Sequence, residues 1–378
     1  MSSVYLDHAA STPMTAEAIA TMAELAGQVG NSSSLHGSGR RARKVVEESR
    51  ERIAAALDAH PTEVIFTSGG TESDNLAIKG IAWAARSVFP SRNRVVVSAI
   101  EHHAVLDPAH WLQTTQGFTV QEIPVYEDGT PDVHMPLIGP DVAVASLMWA
   151  NNETGTLQPV DMLVRSAQES GVRVHTDAVQ AVGSVPVSFG RSGVDAMTVS
   201  GHKLGGPIGV GALLARRGLP LMDLMHGGAQ ERSRSGTLNA PAIGAFAVAV
   251  EAAVAGQAEF AARVGALRDH LEAGIVAGVS GARVNGGDDR LPTHSNITFP
   301  GCAADDLLML LDAVGVEVST GSACTAGVPQ PSHVLLAMGV SEADASSSLR
   351  FSLGRTTTAE DVRTAVSAVA DAVARLRR

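Results

Sequence analysis

The sequence has few aromatic residues, few cysteines and no long apolar run. Aromatic residues make up only 3% of the 378 residues, so we expect a core filled mainly by Ala, Val and Leu. Two cysteines, Cys302 and Cys324, cannot build a disulfide framework, which predicts a reducing, cytoplasmic location. No apolar run approaches transmembrane length and no apolar signal segment opens the chain, so we expect no membrane partner.

The sequence also has no concentration of positive charge. The formal net charge is −11, and no long Lys/Arg stripe is present, so direct nucleic-acid binding is not expected. The basic stretch 40–44 leads straight into Glu47 and Glu48, which is typical of a solvated helix face. An apolar share of 45% and a charged share of 18% indicate an ordinary globular protein, long enough for two domains.

Apolar runs alternate with helical patterns through the first two-thirds of the chain. Several runs are continuously apolar, as expected of strands that are covered on both faces. This alternation predicts an α/β fold with a mostly parallel sheet and helices on both sides. The predicted strands are 63–67, 94–98, 142–148, 173–176, 196–199 and 209–215, and the predicted helices are 15–27, 40–57 and 71–85.

The last third of the sequence has a different pattern. It predicts one long helix at 241–276, short strands at 296–299, 317–319 and 349–353, and helices at 304–313 and 359–376. We interpret this part as a smaller α/β domain. The predicted division is a large domain of residues 15–245 and a small domain of residues 1–14 and 246–378.

Two charged residues follow predicted strands of the large domain. Lys203 lies in the Gly-rich turn S-G-H-K-L-G-G-P, where a partly desolvated amine can form an imine, although a surface loop lysine is the alternative. Asp177 follows strand 173–176, where strand ends face the ligand crevice of an α/β sheet. It can pair with a cationic ring nitrogen or, as the residue type alone favours, cap the next helix.

Two further strand ends carry candidate binding residues. Gly70 and Thr71 join a strand to a helix, and such a helix start binds a monophosphate or is a plain glycine turn. The motif contains no Gly-Lys-Ser/Thr, so it is not a nucleotide P-loop. His102 follows strand 94–98 beside His103. Adjacent residues point in different directions, which favours stacking on an aromatic ring over a metal site.

The two cysteines differ in context. Cys324 lies among Ser, Gly, Ala and Thr in residues 319–329, which predicts an exposed, mobile loop and an accessible thiol. Cys302 opens an apolar helical pattern and is interpreted as a packing or loop residue. Cys324 is therefore the better candidate nucleophile.

Nine short motifs occur together along essentially the whole chain. In this order the pattern resembles the NifS/IscS-type cysteine desulfurases of the class V aminotransferase family, and most closely their actinobacterial IscS-like branch. Each motif alone is only modest evidence for the family, but nine motifs in this order are specific for it. The motifs are Y-L-D-H-A-A-S-T-P, G-G-T-E-S-D-N, E-H-H-A-V, N-N-E-T-G, T-D-A-V-Q, S-G-H-K, R-S-G-T, G-S-A-C-T-A-G and S-L-R-F-S-L-G-R.

The resemblance implies a fold-type I enzyme that depends on pyridoxal 5′-phosphate (PLP), with a seven-stranded type of sheet and sites at a homodimer interface. Lys203 would hold PLP covalently, Asp177 would pair with the pyridine nitrogen, and His102 would stack on the ring and assist proton transfer. Cys324 would accept the sulfur. The other implied PLP contacts are Gln180 and Asn152 at the ring, Gly70, Thr71, Ser200 and His202 at the phosphate, and Thr237 from the neighbouring subunit.

The implied reaction converts L-cysteine to L-alanine, with sulfur held as a persulfide on Cys324. Arg350, assisted by Asn31, would bind the substrate carboxylate. The sulfur would pass to an acceptor protein, such as an iron–sulfur scaffold or a tRNA-thiolation enzyme. The alternatives are a selenocysteine lyase, another PLP-dependent C–S lyase, or a non-catalytic scaffold or sulfur-trafficking adaptor.

Two segments depart from the family pattern. Residues 128–141 are short and hold three prolines, so we expect no helix where the family usually has one. Residues 230–234 are one residue shorter than expected before R-S-G-T, which affects how far Thr237 can reach.

Overall fold

The computed structural model of the chain describes residues 3–132, 137–321 and 330–378. The strands are β1 (Val4–Tyr5), β2 (Val64–Thr67), β3 (Arg94–Ser98), β4 (Thr119–Ile123), β5 (Val142–Ser146), β6 (Arg173–Asp177), β7 (Ala196–Ser200), β8 (Gly211–Ala215), β9 (Arg283–Asn285), β10 (His294–Thr298), β11 (Val316–Glu317) and β12 (Ser348–Ser352). The helices are α1 (Ala16–Ala26), α2 (Gly37–Ala56), α3 (Gly70–Val88), α4 (His103–Gln116), α5 (Val160–Ser170), α6 (Phe189–Ser192), α7 (Ala240–Ala255), α8 (Gln257–Gly278), α9 (Ala304–Asp312), α10 (His333–Ala337), α11 (Glu342–Ala345) and α12 (Ala359–Leu376).

Seven strands form the large sheet, in the order β2-β8-β7-β6-β5-β3-β4. Strands β7, β6, β5, β3 and β4 pair in parallel, whereas β8 runs antiparallel to both of its neighbours. Every residue of β5, β7 and β8 is buried, because helices cover the sheet on both faces. The prediction of an α/β fold with a mostly parallel sheet is confirmed.

Strand β3 shows how the sheet separates two hydrophobic layers. Its side chains alternate between the two faces of the sheet. Val96 packs into one layer with residues of α2, α5 and α7, including Phe246 of α7. Val95 and Val97 pack into the opposite layer with residues of α3 and α4. Apolar side chains are therefore needed on both faces of β3, which explains the continuous apolar run in its sequence.

A second, smaller sheet lies beyond the large one in sequence. It is antiparallel, in the order β12-β10-β9, and β1 pairs separately with β11. A hydrophobic cluster joins this sheet to α8, α9 and α12, and Leu6 from the N-terminal segment belongs to it. Within the cluster, the rings of Phe299 and Phe351 meet edge to face at 6.5 Å. The N-terminus and the C-terminal third thus share one core.

The prediction of one long helix at 241–276 is wrong. Two helices, α7 and α8, meet there at 71° and break at Gly256. Phe246 and Val250 of α7 pack on the large sheet, whereas Val264 and Leu271 of α8 pack on the small-sheet core. One straight helix could not reach both cores, and glycine is a poor residue for a helix interior. Among the described residues no single helix could span a membrane by length and composition, although α7 and α8 counted together meet those criteria.

Other local predictions were incomplete. Strand β4 and helices α4 and α5 were not predicted, and the strand expected at 317–319 is Val316–Glu317. The described parts of the short segment, residues 128–132 and 137–141, contain no helix, as its prolines predict.

Candidate active site

Five strands of the large sheet end beside one cavity of about 220 Å³. Strands β2, β3, β5, β6 and β7 run in one direction, so their carboxyl ends meet at the same edge of the sheet. The residues after each strand end line the cavity. Nine predicted site residues are among them: Gly70, Thr71, His102, Asn152, Asp177, Gln180, Ser200, His202 and Lys203.

A second cavity, of about 360 Å³, adjoins Lys203 from the side of His8 and Arg355. Gln180 and Lys203 line both cavities, but Asp177, His102 and Ser200 line only the smaller one. The smaller cavity therefore holds the groups that can act on a ligand together, and we take it as the candidate active site.

Lys203 follows β7 in a short 3₁₀ turn that brings its amine into the cavity. Nζ donates hydrogen bonds to the carbonyl oxygens of Ala9 and Ala10, at 2.9 Å for Ala10. Burial and the charge of Arg350 lower the pKa of Lys203 to about 8, against the opposing effect of Asp177. Near neutral pH a fraction of this amine is therefore uncharged and able to react as a nucleophile or base.

Asp177 is the last residue of β6. Its Oδ1 accepts the Val179 N–H at 2.8 Å, and turns rather than a helix follow it, so the helix-cap interpretation does not apply. Burial raises its pKa to about 6, even though the Val179 N–H and the charge of Lys203 act in the opposite direction. At neutral pH it is a carboxylate in a nearly dry site, well placed to pair with a cation.

His102 precedes α4 and caps it, since Nδ1 accepts the Ala104 N–H at 3.1 Å. Burial and the charge of Lys203 lower the pKa of His102 to about 4. His202 also lines the cavity, and burial followed by the charge of Lys203 lowers its pKa to about 4. Both rings are therefore neutral near pH 7 and present flat, polarisable walls.

An anion site lies where α3 begins. Helix α3 starts at Gly70, and the N–H groups of its first turn have no partners within the helix, so their partial positive charge favours an anion. Ser200 is buried beside this turn, and its Oγ has no hydrogen-bond partner. A Cβ atom on Gly70 would lie 3.2 Å from a methyl carbon of Val179, so a larger residue would crowd this end of the cavity.

Arg350, on the small sheet, does not line the cavity itself but is hydrogen-bonded to Asn152, which does, so we call Arg350 the rim of the site. Its guanidinium donates to Asp7 Oδ1 at 2.6 Å and to the Asn152 carbonyl at 3.0 Å. Its Nε is buried and has no hydrogen-bond partner. Backbone hydrogen bonds link Arg350 with Ser319 in both directions, so the rim connects directly to the chain that leads to residue 324.

Three predicted site residues lie elsewhere. Asn31 is exposed, and its Oδ1 accepts the Ser33 N–H at 2.9 Å. Neither Asn31 nor Thr237 lines the cavity within one described chain. Cys324 lies outside the described residues, between Gly321 and Gln330.

Sequence reasoning missed a group of buried polar residues near Asp177, one of which, Asp74, lines the cavity itself. Asp74, Glu101 and His175 are each at most 1% exposed. Asp74 and Glu101 belong to motifs that were recognised, but they were given no role. His175 precedes Asp177 by two residues, so strand alternation could have placed it on the same face.

Known proteins resemble this chain over its whole length. The sequence profile of the Aminotransferase class-V family matches residues 4–364. The IscS-like cysteine desulfurase of Mycobacterium tuberculosis is 53% identical, over 99% of this chain and 97% of that protein. The cysteine desulfurase NifS of Azotobacter vinelandii is 43% identical, over 100% of this chain and 94% of that protein.

A solved structure agrees with the sequence relatives. A NifS-like protein superimposes with a TM-score of 0.90 at 34% identity, covering 98% of both chains. With a family profile and relatives that all span nearly the full length, the chain belongs to the class-V aminotransferase family, among the NifS/IscS-type cysteine desulfurases.

Proposed function

We propose that this PLP-dependent cysteine desulfurase converts L-cysteine to L-alanine and holds the released sulfur as a persulfide on Cys324. One observation carries the proposal. A single cavity at the strand ends brings together an amine with a lowered pKa, a buried carboxylate, a neutral imidazole and an anion site. These are the groups that a phosphorylated pyridine aldehyde requires.

The cavity fits PLP on structural grounds. The unpartnered Ser200 Oγ and the start of α3 at Gly70 would bind the phosphate, assisted by Thr71 and His202. Asp177 would face the ring nitrogen and Lys203 would hold the cofactor covalently. We assign the ring face to His102 and ring-edge contacts to Gln180 and Asn152. When bound, PLP supplies a cationic ring that stabilises negative charge at the substrate α-carbon.

Arg350 would bind the substrate carboxylate at the rim. Its buried, unpartnered Nε can donate to one more acceptor, and a guanidinium binds carboxylates in a bidentate way. Lys203, once displaced by the substrate amine, would take the α-proton, since its lowered pKa leaves part of it uncharged. Asp177 would remain a carboxylate above about pH 6 and so hold the ring cationic.

Cys324 would complete the reaction. Its thiolate attacks the substrate sulfur; the S–S bond forms as the C–S bond breaks, and the carbon fragment takes up protons to become alanine. The position of Gly321 is consistent with this role. Gly321 lies beside Glu153, the neighbour of the cavity residue Asn152. Cys324 is three residues further along, and an extended chain advances at most about 3.6 Å per residue.

We also propose a homodimer. Val29 and Leu35, which flank Asn31 in sequence, are 84% and 86% exposed, and Ile208 after Lys203 is 79% exposed. Large apolar side chains exposed to this degree favour burial against a partner. A partner would also supply Thr237, which lies outside the cavity of its own chain. Sedimentation at micromolar concentration should give twice the chain mass of 38.9 kDa; a single-chain mass would contradict the dimer.

The two hydrophobic cores support a two-domain division. The chain passes from one core to the other at Gly256, since α7 packs in the large-sheet core and α8 packs in the small-sheet core. We therefore propose that the small domain comprises residues 1–14 and the chain from Gly256 onward. We also propose a cytoplasmic, reducing location, because Cys324 must remain a free thiol.

The sulfur acceptor is proposed as an iron–sulfur scaffold or a tRNA-thiolation enzyme. Transfer of radioactive sulfur from the persulfide to a purified protein of each kind would distinguish them. Rates with L-cysteine and L-selenocysteine, compared as kcat/KM, would distinguish a desulfurase from a selenocysteine lyase.

The experiment that tests the central proposal is mass spectrometry of the protein after incubation with L-cysteine. One added sulfur atom should map to the peptide that contains Cys324. Cys324→Ser should still bind PLP but form no persulfide. The chain has only one other cysteine, so Cys302→Ser is the matched control and should form persulfide as the wild type does. Sulfur on Cys302, or persulfide in Cys324→Ser, would overturn the mechanism.

A further inference from the structure

A buried carboxylate, Glu153, lies next to the candidate active site in sequence but does not line its cavity. Glu153 is 2% exposed and belongs to the motif N-N-E-T-G, in which only Asn152 was given a role. Glutamate is almost never fully buried unless it has a partner. The contacts of Glu153 therefore indicate what the residue does.

The turn that carries Glu153 is held by Asn151, which is fully buried. Asn151 Oδ1 accepts the N–H groups of Glu153 and Thr154, at 2.9 Å and 3.0 Å. Its Nδ2 donates to the Ile100 carbonyl at 3.0 Å. The next residue, Asn152, lines the cavity. Whatever binds to Glu153 is therefore held at a defined distance from the cavity.

Glu153 binds the chain that follows residues 322–329. Ser332 Oγ donates to Glu153 Oε2 at 2.5 Å, and both residues are 2% exposed. The same Oγ accepts the Leu335 N–H at 3.1 Å and so caps α10. Leu335 packs in a hydrophobic cluster with Ile100. The contact with Glu153 thus holds a hydroxyl whose own neighbours are fixed.

Glu153 also lies against the chain that precedes residues 322–329. Gly321 has a φ of +83°, and a Cβ atom there would lie 3.0 Å from Glu153 Oε2. A residue with a side chain would be strained in this conformation and would crowd the carboxylate. The Gly321 N–H donates to Ser319 Oγ at 3.0 Å, and backbone hydrogen bonds join Ser319 to Arg350. One carboxylate oxygen therefore lies beside both ends of the segment.

We propose that Glu153 is a positioning residue that holds both ends of segment 322–329 beside the cavity and so sets where Cys324 meets the substrate. Fixing the two ends of a segment reduces the conformations open to the residues between them. A reacting group that is restricted in this way reaches its target at a smaller cost in entropy. The inference rests on the proposed function for the role of Cys324, but not for the contacts of Glu153.

Two substitutions at Glu153 test the positioning role. Glu153→Ala leaves the buried Ser332 hydroxyl without this acceptor, so persulfide formation on Cys324 in a single turnover should slow about tenfold. KM for L-cysteine and the PLP dissociation constant should stay within about twofold, because the substrate and cofactor contacts remain. Glu153→Gln keeps the size and an acceptor oxygen, so its rate should stay within about threefold of the wild type.

Three outcomes of this experiment would overturn the proposal. The first is an unchanged rate in Glu153→Ala. The second is an equal loss in Glu153→Ala and Glu153→Gln, because the hydrogen bond to Ser332 would then not be the cause. The third is a loss of PLP binding as large as the loss in rate, which would mean general damage to the site.

Ser332→Ala tests the same contact from its other side. The double variant, Glu153→Ala with Ser332→Ala, should form persulfide no more slowly than the slower single variant, because both changes remove one hydrogen bond. Additive losses would contradict the proposal. Glu63→Ala is the matched control. Glu63 is 6% exposed, accepts the His60 N–H at 2.8 Å, and precedes β2 at the end away from the cavity.

The control separates positioning from stability. Glu63→Ala should lower the free energy of unfolding, measured in urea, and leave the rate of persulfide formation unchanged. A loss of rate in Glu63→Ala as large as that in Glu153→Ala would attribute the effect to general destabilisation, and the proposal would fail.

Hydrogen exchange tests the contacts of Glu153 without PLP or sulfur chemistry. In the full-length, cofactor-free protein, Glu153→Ala should speed amide exchange in peptides that cover residues 319–321 and 332–335, since neither chain end is then held. Unchanged exchange at either end would overturn the proposal. A wild type that forms no persulfide would overturn the proposed function and with it the positioning of Cys324, while the exchange rates would still decide whether Glu153 holds the two chain ends.

Discussion

The floor and the rim of the candidate active site differ in their electrostatics. The floor consists of Asp177, the last residue of β6, and Lys203, which follows the neighbouring β7. Asp177 accepts the Val179 N–H, and the Lys203 amine donates to the Ala9 and Ala10 carbonyls of the N-terminal segment. The rim consists of Arg350, which depends on Asp7, 343 residues away in sequence, and on the Asn152 carbonyl. Burial shifts the pKa of Lys203 down to about 8 and that of Asp177 up to about 6, whereas Arg350 is buried as part of an ion pair.

Because of this difference, we expect the floor to serve proton transfer and the rim to serve substrate binding. In the floor, desolvation moves the pKa of the Lys203 amine and that of the Asp177 carboxyl towards neutral pH, which suits proton transfer. In the rim, the ion pair with Asp7 orients the guanidinium, which suits recognition of a carboxylate. Floor substitutions should therefore lower kcat, and rim substitutions should mainly raise KM.

The largest effect is expected from Lys203→Ala in the floor. Turnover should be abolished while the protein stays folded, because the amine reacts chemically and does not pack in the core. The measurement is alanine release from L-cysteine, together with borohydride trapping of bound PLP and mass spectrometry. Lys44 and Lys79 are the only other lysines and should carry no trapped cofactor. Alanine release at the wild-type rate would contradict the assignment.

Asp177→Asn should have the next largest effect. The amide oxygen can still accept the Val179 N–H, so the turn after β6 is preserved. A nearby opposite charge typically shifts a pKa by roughly 1–3 units, so loss of the charge should lower kcat about 10- to 1,000-fold. A steady-state kcat reduced by less than about threefold would mean that Asp177 acts mainly as a turn cap.

Sequence reasoning located the floor better than the rim. Lys203 and Asp177 could be predicted because each follows a strand, and strand ends meet at one edge of a parallel sheet. Arg350 was predicted from the resemblance, but its partner Asp7 was not, because contacts between distant segments depend on the packing of the small sheet. His175 and Asp74 were missed for a related reason: their contact requires the register of three strands and the position of α3.

The break at Gly256 was missed because the apolar pattern continues across it. Residues on both sides are apolar and helical, and only the presence of two separate cores explains the bend. The fold class and the family could be predicted from motif order and alternation, and both are confirmed. The roles of Asn31 and Thr237 stay predictions, since a single chain does not bring either residue to the cavity.

In the rim, Arg350→Gln should raise KM for L-cysteine about 10- to 100-fold with a smaller change in kcat, because a charged hydrogen bond to the carboxylate is worth roughly 1.5–3 kcal/mol.

The same variant tests whether the charge of Arg350 affects the pKa of Lys203 in the floor. Below about pH 8 Lys203 is mostly protonated, so PLP uptake by cofactor-free protein should accelerate as pH rises through that value.

Removal of the positive charge at Arg350 should raise the pKa of Lys203 and move this uptake profile to higher pH. The shift should be smaller than the effect of burial, which is the larger cause of the lowered pKa. An unmoved profile with a raised KM would mean that the rim acts on the substrate alone and that the two regions are electrostatically independent.

The smallest effect on activity is expected from Cys302, which belongs to neither region. Its side chain is 1% exposed and packs in the small-sheet core with Phe299 and Leu307. Cys302→Ser should therefore leave kcat and the persulfide on Cys324 unchanged, yet lower the free energy of unfolding by about 1–3 kcal/mol, because a hydroxyl replaces an apolar-like thiol without a guaranteed hydrogen-bond partner. Cys302→Ala avoids the buried hydroxyl and should lower the free energy of unfolding by less.

Urea unfolding of the wild type and the two variants, measured together with their persulfide yields, separates stability from chemistry. A drop in persulfide yield at unchanged fold would show that the small-sheet core controls the delivery of Cys324, and the separation into floor and rim would then be incomplete.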